Sequence, residues 1–376
     1  MTRILAVAFG LLLFAALPAQ ARPQALSIAE WRADLAELDE AVRRHHPRPF
    51  AHVEEETYAA AVSRLSRDIP HLGDQEIVLR LAEIVGLFQD GHTRLALPRQ
   101  HPEIGLEFGH VKTEPPSETA LHFAQLPVAF EKFEDGLFIV AAEASRRDLV
   151  GSKLVSIGGM DAGAALEAVR KYAPAENDPL AGLIGADLLS LPAALRGAGV
   201  IKREESAELV LSRDGSERAV DLAPMPAGPA DWVEAASSAR SGGADQKLSY
   251  EFLPGINAVH ATITEVADAG PAFAAFSARI IDEANARDAR LVIDLRNNFG
   301  GDADLNRSLV LALIGDARLN RSGQLFVLIG PRTFSAAQLL VNHLERYTRA
   351  LFVGSGTGAR PDHYGDSRRT RLKNSE

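Results

Sequence analysis

Two short segments carry residue types that can do chemistry together. The first, Arg290-Leu-Val-Ile-Asp-Leu-Arg-Asn-Asn-Phe-Gly-Gly301, is an apolar strand running into a double glycine. The second, Leu325-Phe-Val-Leu-Ile-Gly-Pro-Arg-Thr-Phe-Ser-Ala-Ala-Gln338, is a strand, a sharp turn and a serine at a helix start. A double glycine lets backbone amides approach a ligand closely. A helix N-terminus presents the Ser335 hydroxyl and turns nearby amides toward an anion. One segment can supply a nucleophile and the other an oxyanion hole. That is acyl-transfer chemistry, of the kind run by serine peptidases and esterases.

The elements that must position these residues alternate from residue 247 onward. Strands are expected at 257–264, 291–295, 325–329 and 350–353, with helices at 270–286, 303–314 and 334–347. Such alternation predicts right-handed crossovers and a buried parallel sheet, an α/β core over 247–376. Residues 22–115 form an N-terminal helical region. Apolar residues at Trp31, Leu35, Leu38 and Val42 keep helical period, and further helices are expected over 54–65 and 74–88. A turn at Gln89-Asp-Gly-His-Thr-Arg-Leu95 is expected to lead into a short strand. Residues 116–228 read as a mixed α+β middle domain, with strands near 138 and 153, a helix over 162–172 and a hairpin at Asp214-Gly215. Residues 229–246, rich in Pro, Gly, Ala, Ser and Asp, read as a linker.

Composition narrows the function classes. The net charge of −10 argues against nucleic acid as the partner, because phosphate binding needs concentrated Lys and Arg. The absence of cysteine excludes disulfides, thiolate metal sites and a cysteine nucleophile. Residues 1–21 have the anatomy of a secretory signal peptide: a basic start at Arg3, an apolar run from Ile4 to Leu17, and Ala19-Gln20-Ala21 before the cut. The mature chain is therefore expected in the periplasm or outside the cell, with no integral membrane segment after signal cleavage. No P-loop or dinucleotide fingerprint is present, and no cofactor is expected.

The two core segments resemble the catalytic core of tail-specific (C-terminal-processing) and tricorn-type serine peptidases. Gln89-Asp-Gly-His-Thr-Arg-Leu95, behind helices and His46-Pro-Arg-Pro49, is similar to the N-terminal part of the tricorn-like branch. Gly151-Ser-Lys-Leu-Val-Ser-Ile-Gly-Gly159 resembles the PDZ-like module of these peptidases. The resemblance implies a crotonase-like α/β core, peptide or unfolded protein as substrate, and Ser335 as nucleophile. It implies an oxyanion hole from the amide of Ala336 and that of Gly300 or Gly301. In the C-terminal-processing branch a lysine about 25 residues after the serine is the base; here Arg360 stands there, and a guanidinium stays protonated above pH 12 or so. The tricorn branch uses a histidine instead, which matches His92. Gly91 replaces the serine that precedes that histidine, so another group must orient the ring; Asp366 is a candidate. The core reads as incomplete at its C-terminus, because relatives continue past the strand at 350–353.

Other residues have plainer readings. Thr333 is placed to cap the helix, leaving Ser335 free. Asp294 and Arg296 read as an ion pair at a strand end. His343, read as buried, and His363, in a polar loop, are weaker base candidates than His92. His45, His46 and His52 invite a metal reading, but Pro47 and Pro49 break any shared helical face, so solvated loop histidines are expected and no metal site. Three alternatives stand beside an exported peptidase: a non-catalytic peptide or apolar-ligand binder on the same fold, a truncated inactive enzyme, and an esterase using the same serine.

Overall fold

The computed structural model describes residues 26–102, 106, 121–235, 247–267 and 271–375; the leader expected over residues 1–21 lies outside them. The N-terminal region is three helices, α1 (Ile28–His45), α2 (Glu55–Asp68) and α3 (Asp74–Gly86). Ser27 and Glu30 close a capping box at the start of α1, satisfying two orphan amides. Trp31, Leu35, Leu38 and Val42 form its buried stripe, and the Trp31 indole N–H donates to Asp74 at 2.8 Å, tying α1 to the first turn of α3. No strand follows the turn at 89–95; residues 95–98 are irregular.

The middle of the chain holds β1 (Val128–Phe133), β2 (Gly136–Glu143), β3 (Lys153–Ile157), β4 (Met160–Asp161), helices α4 (Ala162–Val169), α5 (Asp178–Leu188) and α6 (Pro192–Gly197), then β5 (Ala207–Arg213), β6 (Ser216–Leu222) and β7 (Trp232–Glu234). The sheet order is β1-β2-β3-β5-β6, with β4 on β3 and β7 on β2. The β5–β6 hairpin turns at Asp214 (φ 50°) and Gly215 (φ 79°). Two successive positive φ values match the twist of the flanking strands. Strand β7 lies inside the stretch expected to be a linker: Val233 pairs with Ala142, so residues 232–234 belong to the sheet.

The remaining elements are β8 (Leu248–Leu253), β9 (Ala258–Ile263), α7 (Pro271–Ala286), β10 (Arg290–Asp294), α8 (Asn306–Gly315), β11 (Leu325–Ile329), α9 (Ala336–Tyr347) and β12 (Leu351–Gly354). They form one sheet, β12-β11-β10-β9-β8, parallel except for β8. Strand β8 escapes the alternation rule because it is a hairpin partner of β9 and needs no crossover helix. Two buried clusters result. One belongs to this sheet and its helices. The other runs without interruption through the N-terminal helices and the middle sheet, and includes Phe334, Ala359 and Leu372 from the chain's last part. Regions read as separate domains at 22–115 and 116–228 thus share one core. Among the described residues, no helix is long and apolar enough to cross a membrane.

Candidate active site

Strands β10 and β11 are parallel neighbours, so the loops at their C-terminal ends meet. Asn298, fully buried, knits them. Its side-chain amide donates to the Ile263 carbonyl (2.9 Å), its Oδ1 accepts from Gly300 N–H (2.8 Å), and its own carbonyl accepts from Phe334 N–H (3.0 Å). Thr333 is not the cap of α9. Its hydroxyl donates to the Leu295 carbonyl (2.8 Å) and accepts from Gly330 N–H (3.0 Å), which braces the turn from within.

Ser335 itself occupies the N-cap position, at φ 53°, ψ −122°, without a side-chain cap bond. A non-glycine residue there carries on the order of 1–3 kcal/mol of backbone strain, sustained by the surrounding bonds. The strain frees the hydroxyl from the helix and lifts it off the turn. Gly300 (φ 114°) lies directly beneath: an added Cβ would stand 2.7 Å from Ser335 Cβ and 3.0 Å from Ala336 N. Only glycine leaves that space open. Of the residues expected around an oxyanion, Ala336 and Gly301 donate no hydrogen bond from their amides among the described residues. The Gly300 amide is engaged by Asn298 and is not available in this arrangement.

His92 arrives from the other side of the molecule. Its Nε2 is 2.9 Å from Ser335 Oγ across 243 residues of sequence. Phe334 stacks on its ring at 4.5 Å and 22°, and His363 lies nearly parallel to it at 5.3 Å and 5°. Its Nδ1 faces two carboxylates, Glu176 Oε1 at 3.6 Å and Asp90 Oδ1 at 4.0 Å. A proton on Nδ1 would face these carboxylates and leave the Nε2 lone pair for the serine hydroxyl.

Asp366, expected as a possible orienting acid, is exposed and makes no contact with His92 among the described residues. Glu176, which sequence reasoning missed, stands in its place, 5% exposed. It accepts from Gly91 N–H (3.2 Å) and Arg360 N–H (2.8 Å), so one carboxylate clamps the histidine turn and the loop after β12. Nothing in Ala175-Glu176-Asn177 marks it as chemical; its only local signal is that it precedes the cap of α5. Gly91 has a packing reason: a Cβ there would come within 2.8 Å of Leu180 and Phe334.

Asp90 is the second support. It accepts from His92 N–H (2.9 Å) and the Thr93 hydroxyl (2.7 Å), and His46 Nε2 stands at 3.2 Å. Burial alone would raise its pKa, but the bonds from His46, Thr93 and His92 together hold it below the usual carboxylate range. His46 corrects an expectation. It is no solvated loop histidine: its side chain is 5% exposed, its Nδ1 accepts from Arg48 N–H (3.1 Å), and its Nε2 therefore carries the proton toward Asp90. His343, expected to be buried, is exposed.

Asp90, His92 and Glu176 could offer ligand atoms within 4.8 Å of one another. Burial pushes the Arg94 guanidinium down to about 10, while the charges of Asp90 and Glu176 pull the other way. Two carboxylates and one guanidinium leave a single negative charge. A protonated His92 neutralises it, whereas a dication would leave an uncompensated positive charge in a buried place.

Comparison with protein-family models and with curated proteins finds no match. Solved structures share the fold. Mature CPAF complexed with lactacystin superposes with a TM-score of 0.60 at 13% identity, over 88% of this chain and 85% of that one. Mature CPAF alone gives 0.56 at 15% identity, over 88% and 84%. A photosystem II D1 C-terminal processing protease covers 87% of this chain and 81% of its own, but at a TM-score of 0.37 and 14% identity, too loose a superposition to compare geometry. At such identities the similarity concerns the mixed α/β architecture, not individual side chains.

Proposed function

We propose that this chain is a serine peptidase with a Ser335–His92–Glu176 triad on a crotonase-like core, exported behind a signal peptide at residues 1–21. The observation that carries the reading is the 2.9 Å approach of His92 Nε2 to the hydroxyl of a serine held at φ 53°. A satisfied bystander serine needs neither that partner nor that strain.

In the proposed reaction, Ser335 Oγ attacks a peptide carbonyl carbon as its proton passes to His92 Nε2. The negative oxygen of the tetrahedral intermediate rests on the amides of Ala336 and Gly301, at the positive end of α9. Glu176 and Asp90 stabilise the imidazolium. The C–N bond then breaks, the leaving amine takes the proton from His92, and water hydrolyses the acyl-enzyme by the same path in reverse. The middle sheet, by its resemblance to a PDZ-like module, would present the peptide.

The test is mass-spectrometric detection of cleavage in a mixed peptide and protein library, run beside Ser335→Ala and His92→Ala. Cleavage by wild type, lost in both variants, is the expected result. Turnover of small esters with peptides left intact would replace peptidase by esterase, and cleavage surviving in Ser335→Ala would reject the nucleophile.

A further inference from the structure

The last described residues return to the first helix. Asp34, in the middle of α1, is fully buried. Its carboxylate accepts from Asn374 N–H (3.0 Å), the Asn374 side-chain amide (2.6 Å) and Ser375 N–H (2.7 Å). Glu37 accepts from Lys373 N–H (2.9 Å), and Leu372 is buried in the core shared with the N-terminal helices. A buried carboxylate is costly unless its lone pairs are filled, and amide donors fill them with charge-assisted bonds. Among the described residues, every hydrogen bond to the Asp34 carboxylate comes from this tail.

The same segment begins at the site. Thr357 accepts from the Asn177 side-chain amide (2.9 Å) through its carbonyl, and Gly358 N–H donates to Thr333 (3.1 Å), two residues from the serine. Arg360 N–H holds Glu176, and Arg360 Nη1 stands 2.9 Å from His52 Nε2. The Pro361 carbonyl accepts from Asn342 on α9 (2.8 Å). His363 lies parallel to His92, and Tyr364 meets the His46 ring edge-on at 5.3 Å. Residues 357–364 thus touch Glu176, the His92 ring and His46, while 372–375 are fastened on α1. Between the two anchors the chain has no regular structure of its own.

We infer that Asp34 is a positioning residue for the site around His92, acting through the segment 357–375 as a tethered strap. Docking the tail closes the loop between the anchors and limits the conformations open to 357–364. Those residues then hold the Glu176 carboxylate and the His363 ring in register with His92. The inference rests on the proposed reading only where it concerns turnover.

The experiment is residue-resolved hydrogen exchange on the full chain, wild type and Asp34→Ala, with kcat and KM measured in parallel. Exchange at Gly358 and Arg360 is expected to rise about tenfold or more in the variant, while Leu291 in the parallel sheet stays unchanged. Turnover is expected to show kcat down several-fold with KM nearly constant, and Asp34→Asn, which keeps one acceptor, to fall between. Faster exchange confined to 373–375, with Gly358 and Arg360 protected as before, overturns the inference. If Asp34→Ala does not fold, Leu372→Ala loosens the tail from its apolar side and carries the same test. If wild type turns over no peptide, the catalytic reading fails by itself, and the exchange result still decides whether the strap is coupled to the site.

Discussion

Two aspartate–histidine clusters in this molecule use the same residue types to opposite ends. At the end of β10, Asp294 takes His260 Nε2 at 3.3 Å and Arg296 at 2.6 Å, with Glu251 3.6 Å from His260 on its other side. Burial opposes the Asp294 charge, yet the bonds from His260 and Arg296 hold its carboxyl well below the carboxylate range; the Asp294 bond in turn raises His260. Every charge there is answered directly. Around His92 the carboxylates are filled instead by amides, a hydroxyl and His46, at short range. The His92 ring is left facing them at 3.6 and 4.0 Å, with its other nitrogen on a serine. In the first cluster each charge has a short-range partner; in the second the histidine Nδ1 has none within hydrogen-bond distance. Having the same residues is not enough. What separates them is which partner is left unsaturated.

The comparison can be broken most forcefully at the serine. Ser335→Ala or His92→Ala is expected to lower kcat by about 10⁴-fold or more with the fold intact, since each removes a member of a unit that acts together. Kinetics paired with circular dichroism checks both halves, and an unfolded Ser335→Ala would make the residue structural. Glu176→Gln should keep the two amide bonds in part but remove the charge facing Nδ1; a loss in kcat of about 10²-fold or more is expected, with a smaller change in melting temperature. An unchanged kcat would shift the orienting role to Asp90. Gly300→Ala introduces a Cβ against Ser335 and the Ala336 amide at φ 114°. It is expected to cost about 10²-fold in kcat by narrowing the space for the oxyanion, whereas Gly301→Ala, which drives a Cβ to 2.1 Å from the Val266 carbonyl, should first lower the melting temperature.

The smallest effect sharpens the other side of the comparison. A raised His260 pKa means its contribution is fully present below its unfolded value, near 6.5, and fades as pH rises through the folded value. His260→Gln should therefore lower the melting temperature by about 1–2 °C at pH 5.5 and by less at pH 8, with no effect on kcat. The depressed Asp294 works the other way: its contribution is present above about pH 4 and is lost as pH falls toward the folded value. Equal melting shifts at both pH values would show that the His260 ion pair contributes nothing, and a changed kcat would couple a cluster that geometry keeps apart.

Much of the core was legible in sequence because its signals are local. Short apolar runs, the double glycine and a serine at a helix start predict β10, β11, α9 and the meeting of their loops. The stripe of Trp31, Leu35, Leu38 and Val42 predicts α1, and the Asp294–Arg296 pair is read correctly from two positions one residue apart. Composition excludes cysteine chemistry without any structure. Other features had no local mark. Strand β7 is short and lies in a composition that reads as a loop; it is a strand only because β2 offers an edge. His46 sits between prolines and reads as solvated, but packing brings it against Asp90. Glu176 belongs to no motif, Asp366 sits near the right place in sequence yet on the surface, and the Gly300 amide turns to Asn298. A double glycine facing a serine at a helix start follows from residue types and spacing; His92 entered through the family resemblance, and the strain at Ser335 (φ 53°) through the fold. Which acid stands behind His92, and which amide stays free, follows from contacts between segments tens to hundreds of residues apart, and such contacts leave no period or spacing in one chain for a reader to find.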